Sequence, residues 1–500
     1  MKNYILSLDQ GTTSSRAVLY DTQGKAVSIG QQPLSSTYPS EGLVEQDPEE
    51  IWRTQLSAAR QAISEAKVSS TEIAAIGIAN QRETTILWDA DSGEPLCPAI
   101  VWQCRRSAPI CARLRDEGLE SFFIERTGLV LDAYFSGTKI RWAMDNVDVV
   151  RNAASAGKLR FGTVDSWLVW KLTGGSVHVT DVSNASRTLL LDLEKAGWDE
   201  QCLEHLDIPP DILPEVKPSS EVLAETSLEI FDARIPIAGI AGDQQAALFG
   251  QLALSTGEAK CTYGTGCFIL ANLGKRRPGG LPGLLGTIAW QRGSELTYAM
   301  EGSVFMGGAV VQWLRDKMEL IPDAVSSASL AASVSDTGGV YLVPAFVGLG
   351  APHWDMYARG LLAGMTQATS RAHVVRAALE GIAFQVQDVV SLLTGVAGME
   401  IPSIRVDGGA CRNDFLMQFQ ADLLGFSVER PVNIETTSLG AAFLAGLAVG
   451  FWKGEEDLKA LVKLERCFEP AIDVDQRQGL IEGWKRAVER AKGWVVPDTQ

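Results

Sequence analysis

The sequence predicts an α/β protein built as two halves of similar size. Strand and helix signals alternate over residues 4–89, as strands joined by crossover helices require. A hairpin pattern at residues 4–20 returns faintly at 258–270. The 500-residue length, at about 150 residues per domain, allows two to four domains. A boundary near residue 250 divides the chain into 1–250 and 251–500. No Pro/Ser-rich or charged linker separates these parts, so the expectation is packed domains joined by a hinge.

The first hairpin sets two β-type apolar runs around Asp9-Gln10-Gly11-Thr12-Thr13-Ser14-Ser15-Arg16. Gly11 lets backbone approach an anion, residues 12–15 offer hydroxyl and N–H donors, and Asp9 can hold a magnesium ion directly or through water. The Gly-Lys-[Ser/Thr] ending of a P-loop is absent. Taken alone, the pattern equally describes a surface turn with a stray acid.

Asp47-Pro48-Glu49-Glu50 starts a helix whose apolar stripe is Ile51, Trp52, Leu56, Ala59 and Ile63. Residues 73–79 read as a buried strand, and Asn80-Gln81-Arg82-Glu83-Thr84-Thr85 breaks its apolar pattern. The five donors of Arg82 beside the carboxylate of Glu83 suit a ligand with several hydroxyls. An exposed turn with solvated charges is the competing reading. Trp102 and Tyr134 are each ordinary core aromatics in isolation, and suggest a polyol pocket only together with that cluster.

Residues 236–241 form an apolar strand that delivers Gly242-Asp243-Gln244-Gln245 to its carboxyl end, ahead of a helix expected over 242–254. Such strand ends face the ligand crevice of α/β folds, which places Asp243 for chemistry. Phosphoryl transfer tolerates a base as weak as a carboxylate, because its loose transition state asks mainly for positioning. A helix N-cap is the bland alternative for Asp243. The second hairpin, around Gly264-Thr265-Gly266, would clasp phosphates from the opposite side. A strand at 404–406 then leads through Gly408-Gly409 and Asn413 into a helix over 414–424, a turn able to admit adenosine or phosphate. An amphipathic helix is expected over 475–494.

Composition narrows the partners. A formal charge of −17 and a pI near 4.8 exclude nucleic acid and anionic membrane surfaces as general partners. The N-terminus lacks the pattern of a signal peptide, and the apolar run 439–452 is too short and too rich in Gly and Ala to span a bilayer. The protein is expected to be soluble. Eight scattered cysteines fit reduced thiols and the cytoplasm, and Cys97, Cys104 and Cys111 lack zinc-site spacing.

With these residues in place, the chain resembles carbohydrate kinases of the FGGY type over about residues 3–494. The motifs are 9–16, 80–85, 100–106, 134–139, 241–248, 263–268 and 407–413, and the segment from Gly360 to Glu380 looks like the family's second signature. The resemblance implies an actin-like ATPase fold: two ribonuclease-H-like domains around a central cleft, polyol-binding over 1–250 and nucleotide-binding over 251–500. It implies transfer of a phosphoryl group from ATP to glycerol. Arg82, Glu83, Tyr134, Asp243 and Gln244 would hold the glycerol hydroxyls, with Trp102 and Phe268 along its carbon edge and Asp243 as base. Thr12, Thr13, Ser14, Arg16, Thr265, Gly308, Gln312, Gly409 and Asn413 match nucleotide-contacting positions, and Asp9 with Asp243 would place Mg²⁺.

The resemblance also suggests a homo-oligomer, a dimer or tetramer. Some relatives carry a Gly/Lys-rich effector loop where this chain has the short, acidic and apolar Glu229-Ile230-Phe231-Asp232-Ala233, so strong inhibition by a sugar bisphosphate is not expected. Phosphohistidine activation is not expected either, since that loop has no histidine. Ile472-Asp473-Val474-Asp475-Gln476 differs from the segment on which some relatives dock a sugar-transport protein. The rivals are a kinase of another polyol or ketose on the same fold, and a non-catalytic actin-like sensor. The presence of both Asp9 and Asp243 speaks against the sensor.

Overall fold

The computed structural model describes residues 2–281, 283–395 and 397–496. The first half opens with the hairpin β1 (Tyr4–Gln10) and β2 (Ser14–Tyr20), extended by β3 (Ala26–Pro33). Helix α1 (Pro48–Ala66) follows, with Asp47 as N-cap accepting from the Glu49 amide at 3.0 Å and Pro48 at the first helical position. It buries Ile51, Ala58, Ala59 and Ala62 against β2 and β3. Strand β4 (Ile73–Asn80) is buried throughout, as its continuous apolar run requires of a parallel strand covered on both faces. Helix α2 (Ser136–Asn146), β5 (Ser220–Glu225), β6 (Pro236–Gly242) and α3 (Asp243–Gly250) complete the elements used below from this half.

The second half contributes β7 (Ala259–Tyr263), β8 (Cys267–Gly274), β9 (Leu285–Arg292) and β10 (Glu295–Val304), then α4 (Gly308–Asp316) and α5 (Arg371–Gly395). It ends with β11 (Ser403–Asp407), α6 (Asp414–Leu424), β12 (Ser427–Pro431), α7 (Thr436–Ala448), β13 (Leu464–Phe468) and α8 (Val474–Ala491).

These thirteen strands form one sheet in the order β13-β12-β11-β7-β8-β10-β9-β5-β6-β4-β1-β2-β3. The two halves join within it at β5 and β9, through the single pair Ser220 and Arg292. On either side of that seam the same pattern occurs. An antiparallel hairpin (β1–β2, β7–β8) continues into two parallel strands (β4 and β6, β11 and β12) and then an antiparallel one (β5, β13). The faint sequence echo thus corresponds to a repeated topology.

Helices α3 and α7 follow equivalent strands, β6 and β12, and cross each other at reciprocal glycines. A Cβ on Gly250 would lie 2.0 Å from the Thr436 carbonyl oxygen, and one on Gly440 would lie 1.8 Å from that of Ala246. Helix α7 also rests on the first half's strands, where Gly77 and Gly239 clear its backbone at Ala441 and Ala445.

Two expected helices have different limits. The one read over 242–254 begins at Asp243 and stops at Gly250, because Gly242 still pairs in β6 and the chain turns left-handed at Leu252. The tail helix spans Val474–Ala491 and is ended by extended backbone at Lys492 and positive φ at Gly493, short of Trp494. Among the described residues no helix is long and apolar enough to cross a membrane.

Candidate active site

Register places three strand ends level with one another. Gln10 of β1 pairs with Asn80 of β4, and Asn80 pairs with Gly242 of β6. All three strands run parallel, so the first hairpin, the 80–85 cluster and Asp243 emerge together at the carboxyl edge, where α/β sheets bind ligands. The Gln81 amide donates to the Gln10 carbonyl at 2.7 Å and ties two of these ends. Gly242 is required here, since a Cβ would come within 2.6 Å of Arg82 Cδ.

Residues 80–85 are buried, which overturns the reading of an exposed turn with solvated charges. Glu83 sits at φ +60°, a left-handed conformation unfavourable for a side chain with Cβ. Arg82 Nε lies 3.2 Å from Asp243 Oδ1 and 3.9 Å from Glu83 Oε1. Its two terminal nitrogens grip Glu301 of β10 in a fork, at 2.5 and 3.0 Å. Arg187 joins the cluster with Nε 2.7 Å from Glu83 Oε1 and Nη2 3.2 Å from Glu301 Oε1.

Burial alone would raise the Glu301 carboxyl, but the guanidiniums of Arg187 and Arg82 overcome it and hold it down at about 2. Burial pushes the Glu83 carboxyl up, against the pull of Arg82 and Arg187. Asp243, with its side chain 30% exposed, is the open carboxylate of this group. Gly242, and not Asp243, occupies the N-cap position of α3, and the Asp243 carboxylate accepts from the next amide, that of Gln244, at 2.7 Å.

The aromatic residues are held from both halves. Half-buried Trp102 meets Tyr134 edge to face at 5.6 Å and donates Nε1–H to Thr12 Oγ1 at 3.0 Å, so one hydroxyl of the first hairpin steadies the pocket wall. Phe268 pairs with Ser303 across β8 and β10, while Leu270 pairs with Glu301. Alternation puts Phe268 on the sheet face that carries Glu301. Gln244 accepts from buried Lys260 of β7, whose ammonium also donates to Thr262 at 2.8 Å.

The expected nucleotide residues are more open. Thr13, Thr265, Gln312 and Gly409 are exposed, and Ser14 is half-buried at the start of β2. The Gly11 amide closes the first turn on the Ser14 carbonyl at 3.0 Å. In the second turn the amides of Gly307 and Gly308 donate to the carbonyls of Thr265 and Gly264, at 2.8 and 2.7 Å, which seats the start of α4 on the hairpin. Gly408, at φ +83°, turns the chain directly over Tyr263, whereas space is open around Gly409. Asn413 is already engaged: its Oδ1 caps α6 by accepting from the Leu416 amide, and its Nδ2 donates to Ser327. Arg16 forms an ion pair with Glu435 of the second half, just before α7.

Burial pushes the Asp9 carboxyl up to about 7, with Arg16 opposing and Asp243 and Glu435 adding to the rise. A carboxyl so destabilised as an anion, near a second carboxylate, is the environment a cation would relieve. Among the described residues no cluster of three His, Cys, Asp or Glu side chains is present. Two carboxylates suit Mg²⁺, which commonly takes one or two carboxylates and completes its shell with water and substrate phosphates.

Sequence reading missed Glu301, Arg187 and Lys139 as parts of the site. Glu301 and Arg187 each stand as a lone charge in an otherwise apolar or small-residue run, as in Tyr298-Ala299-Met300-Glu301-Gly302, whereas Lys139 lies two residues from Arg141. Such charges are seldom buried unless paired, which was the available signal.

Residues 4–250 match the N-terminal domain and residues 259–449 the C-terminal domain described for the FGGY family of carbohydrate kinases. A glycerol kinase of Symbiobacterium thermophilum is 56% identical over 495 residues, 99% of either chain. Glycerol kinase 2 of Thermotoga maritima is 56% identical over 491 residues, 98% of this chain and 99% of the relative. The crystal structure of Plasmodium falciparum glycerol kinase with ADP superposes at TM-score 0.92 with 37% identity, covering 98% of each chain.

Proposed function

The chain belongs to the FGGY family of carbohydrate kinases, and we infer that it transfers a phosphoryl group from ATP to glycerol, giving ADP and sn-glycerol 3-phosphate. The observation that carries the site assignment is the level placement of Asp243, the Asp9 hairpin and the Arg82–Glu83 pair at three adjoining strand ends.

Glycerol lies with its hydroxyls on Arg82, Glu83, Tyr134 and Gln244 and its carbon edge against Trp102 and Phe268. Asp243 accepts the proton of the terminal hydroxyl as that oxygen attacks the γ-phosphorus and the bond to ADP breaks. Thr12, Thr13, Ser14, Arg16 and Thr265 steady the phosphates through hydroxyl, amide and guanidinium donors. Gly308, Gln312, Gly409 and Asn413 border the rest of the nucleotide. Asp9 and Asp243 would hold Mg²⁺, which supplies charge neutralisation on the phosphate oxygens.

The same reading places the protein in the cytoplasm, as a dimer or tetramer, which sedimentation of the purified chain would check. Release of ADP measured over a panel of polyols and ketoses tests the substrate. Glycerol should give the highest kcat/KM, and a tenfold preference for a ketose would refute it.

A further inference from the structure

We propose that Arg187 and Glu301 are positioning residues for the polyol, a buried charge frame that sets the orientation of Arg82 and Glu83. The proposal rests on the assignment of Arg82 and Glu83 as the polyol grip.

Arg82 and Glu83 each keep 2% of their side-chain surface exposed, whereas Arg187 and Glu301 keep none and have no face open to a ligand. Each instead contacts a gripping residue. Glu301 Oε2 takes Arg82 Nη1, while Glu301 Oε1 is shared by Arg82 Nη2, Arg187 Nη2 and the Ser303 hydroxyl, the last at 3.1 Å. With its Nη atoms engaged, Arg82 keeps Nε directed at Asp243. Arg187 closes the frame by donating Nε–H to Glu83 Oε1, its guanidinium lying over the rings of Tyr134 and Phe135 at 5.6 and 5.4 Å.

The backbone of Glu83 is fixed separately. Its left-handed φ is held by three donors on its carbonyl: Thr85 Oγ1 at 3.3 Å, and Ser136 Oγ at 3.0 Å and Lys139 Nζ at 3.1 Å from α2. Lys139 also donates to the Tyr134 carbonyl, at 2.5 Å, so one ammonium ties the backbones of two expected polyol contacts.

Two features set this frame apart from ordinary core packing. A set of buried charges is often no more stabilising than apolar residues of equal volume, so stability alone does not account for it. Glu301 also belongs to the second half while Arg82, Glu83 and Arg187 belong to the first, so the grip is complete only when both halves are in place.

The test compares wild type with Arg187→Met, Arg187→Lys and Ser303→Ala. The acceptor is whichever polyol or ketose the wild type turns over fastest, so a wrong choice of glycerol does not decide this result. Arg187→Met is expected to raise the acceptor KM about 10- to 100-fold, the scale of losing a charge-assisted hydrogen bond, with the ATP KM within about twofold. Arg187→Lys should recover part of the acceptor KM, because it keeps the charge but cannot span both carboxylates. Ser303→Ala, which removes only one hydroxyl, should raise the acceptor KM about two- to fivefold. An acceptor KM unchanged in Arg187→Met, or an ATP KM raised equally, would overturn the proposal. If Arg187→Met fails to fold, Ser303→Ala decides: an unchanged acceptor KM overturns it and a selective rise supports it.

Discussion

The two hairpins share one topology and carry opposite chemistry. The first, β1–β2, holds Asp9 two residues before its turn glycine, and the equivalent position in β7–β8 is Thr262. Asp243 leads the helix after β6, whereas α7, after β12, begins with Thr436. At these two equivalent positions the first half carries carboxylates and the second half threonines, although Asp407 and Glu435 of the second half lie close by, bound to Thr436 and Arg16. Phosphates explain the asymmetry: a cation and a base call for carboxylates, while a second carboxylate against the triphosphate would repel it. The difference also extends to burial, since the Arg82–Glu83–Glu301–Arg187 frame is closed and Thr265, Gln312 and Gly409 are open. On the proposed assignment, the polyol side is organised by protein charges before ligand arrives, and the nucleotide side is left for the ligand's own charge to complete.

If the division is real, the largest effect should come from the open carboxylate of the first half. Asp243→Asn should lower kcat by about 10²- to 10⁴-fold in the coupled ADP assay, the usual worth of a positioned base. Unchanged turnover would remove Asp243 from that role. Arg82→Ala should next reveal how much charge is buried on this side. It leaves Glu301 and Glu83 to share Arg187 as their remaining guanidinium, so urea unfolding followed by tryptophan fluorescence should report a loss of about 3–5 kcal/mol. A loss below about 1 kcal/mol would mean that the frame is solvated in practice.

Asp9 offers a pH test of the same contrast. Its folded carboxyl is raised to about 7, above the ordinary 3.8, so between those values the nucleotide-free native state holds a proton that the unfolded chain has released. This site therefore lowers stability as pH rises through that window. Mg²⁺ with ADP must displace the proton, so affinity by titration calorimetry should rise up to about tenfold per pH unit and level off above about pH 7. Asp9→Asn should abolish the slope, and a slope that survives would assign the proton elsewhere. The smallest effect belongs to the second hairpin. Thr265→Ala should raise the ATP KM about two- to tenfold, the worth of one neutral hydrogen bond, with glycerol KM unchanged.

Local chemistry made much of this legible in sequence. The Asp47-Pro48 helix start, the strand over 73–79 and the Gly-rich turns are written in consecutive residues, and the structure has each where propensity and patterning put it, with the strand one residue longer. Asp243 was readable for the same reason, as an acid at the end of an apolar strand. The helix limits at Gly250 and Ala491 were less so, because backbone turns at Leu252 and Gly493 ended them before the pattern did.

By itself, then, the sequence determined the α/β class, the repeated hairpin, the acidic net charge and the family to which the motifs belong. Tertiary structure alone decided that the 80–85 cluster is buried, that β5 and β9 join the halves in one sheet, and that Glu301 reaches across from the second half to hold Arg82. The physical reason is range. Propensity and periodicity act over a few neighbours, but a buried charge is defined by its partner, and the partner of Arg82 lies 219 residues away along the chain.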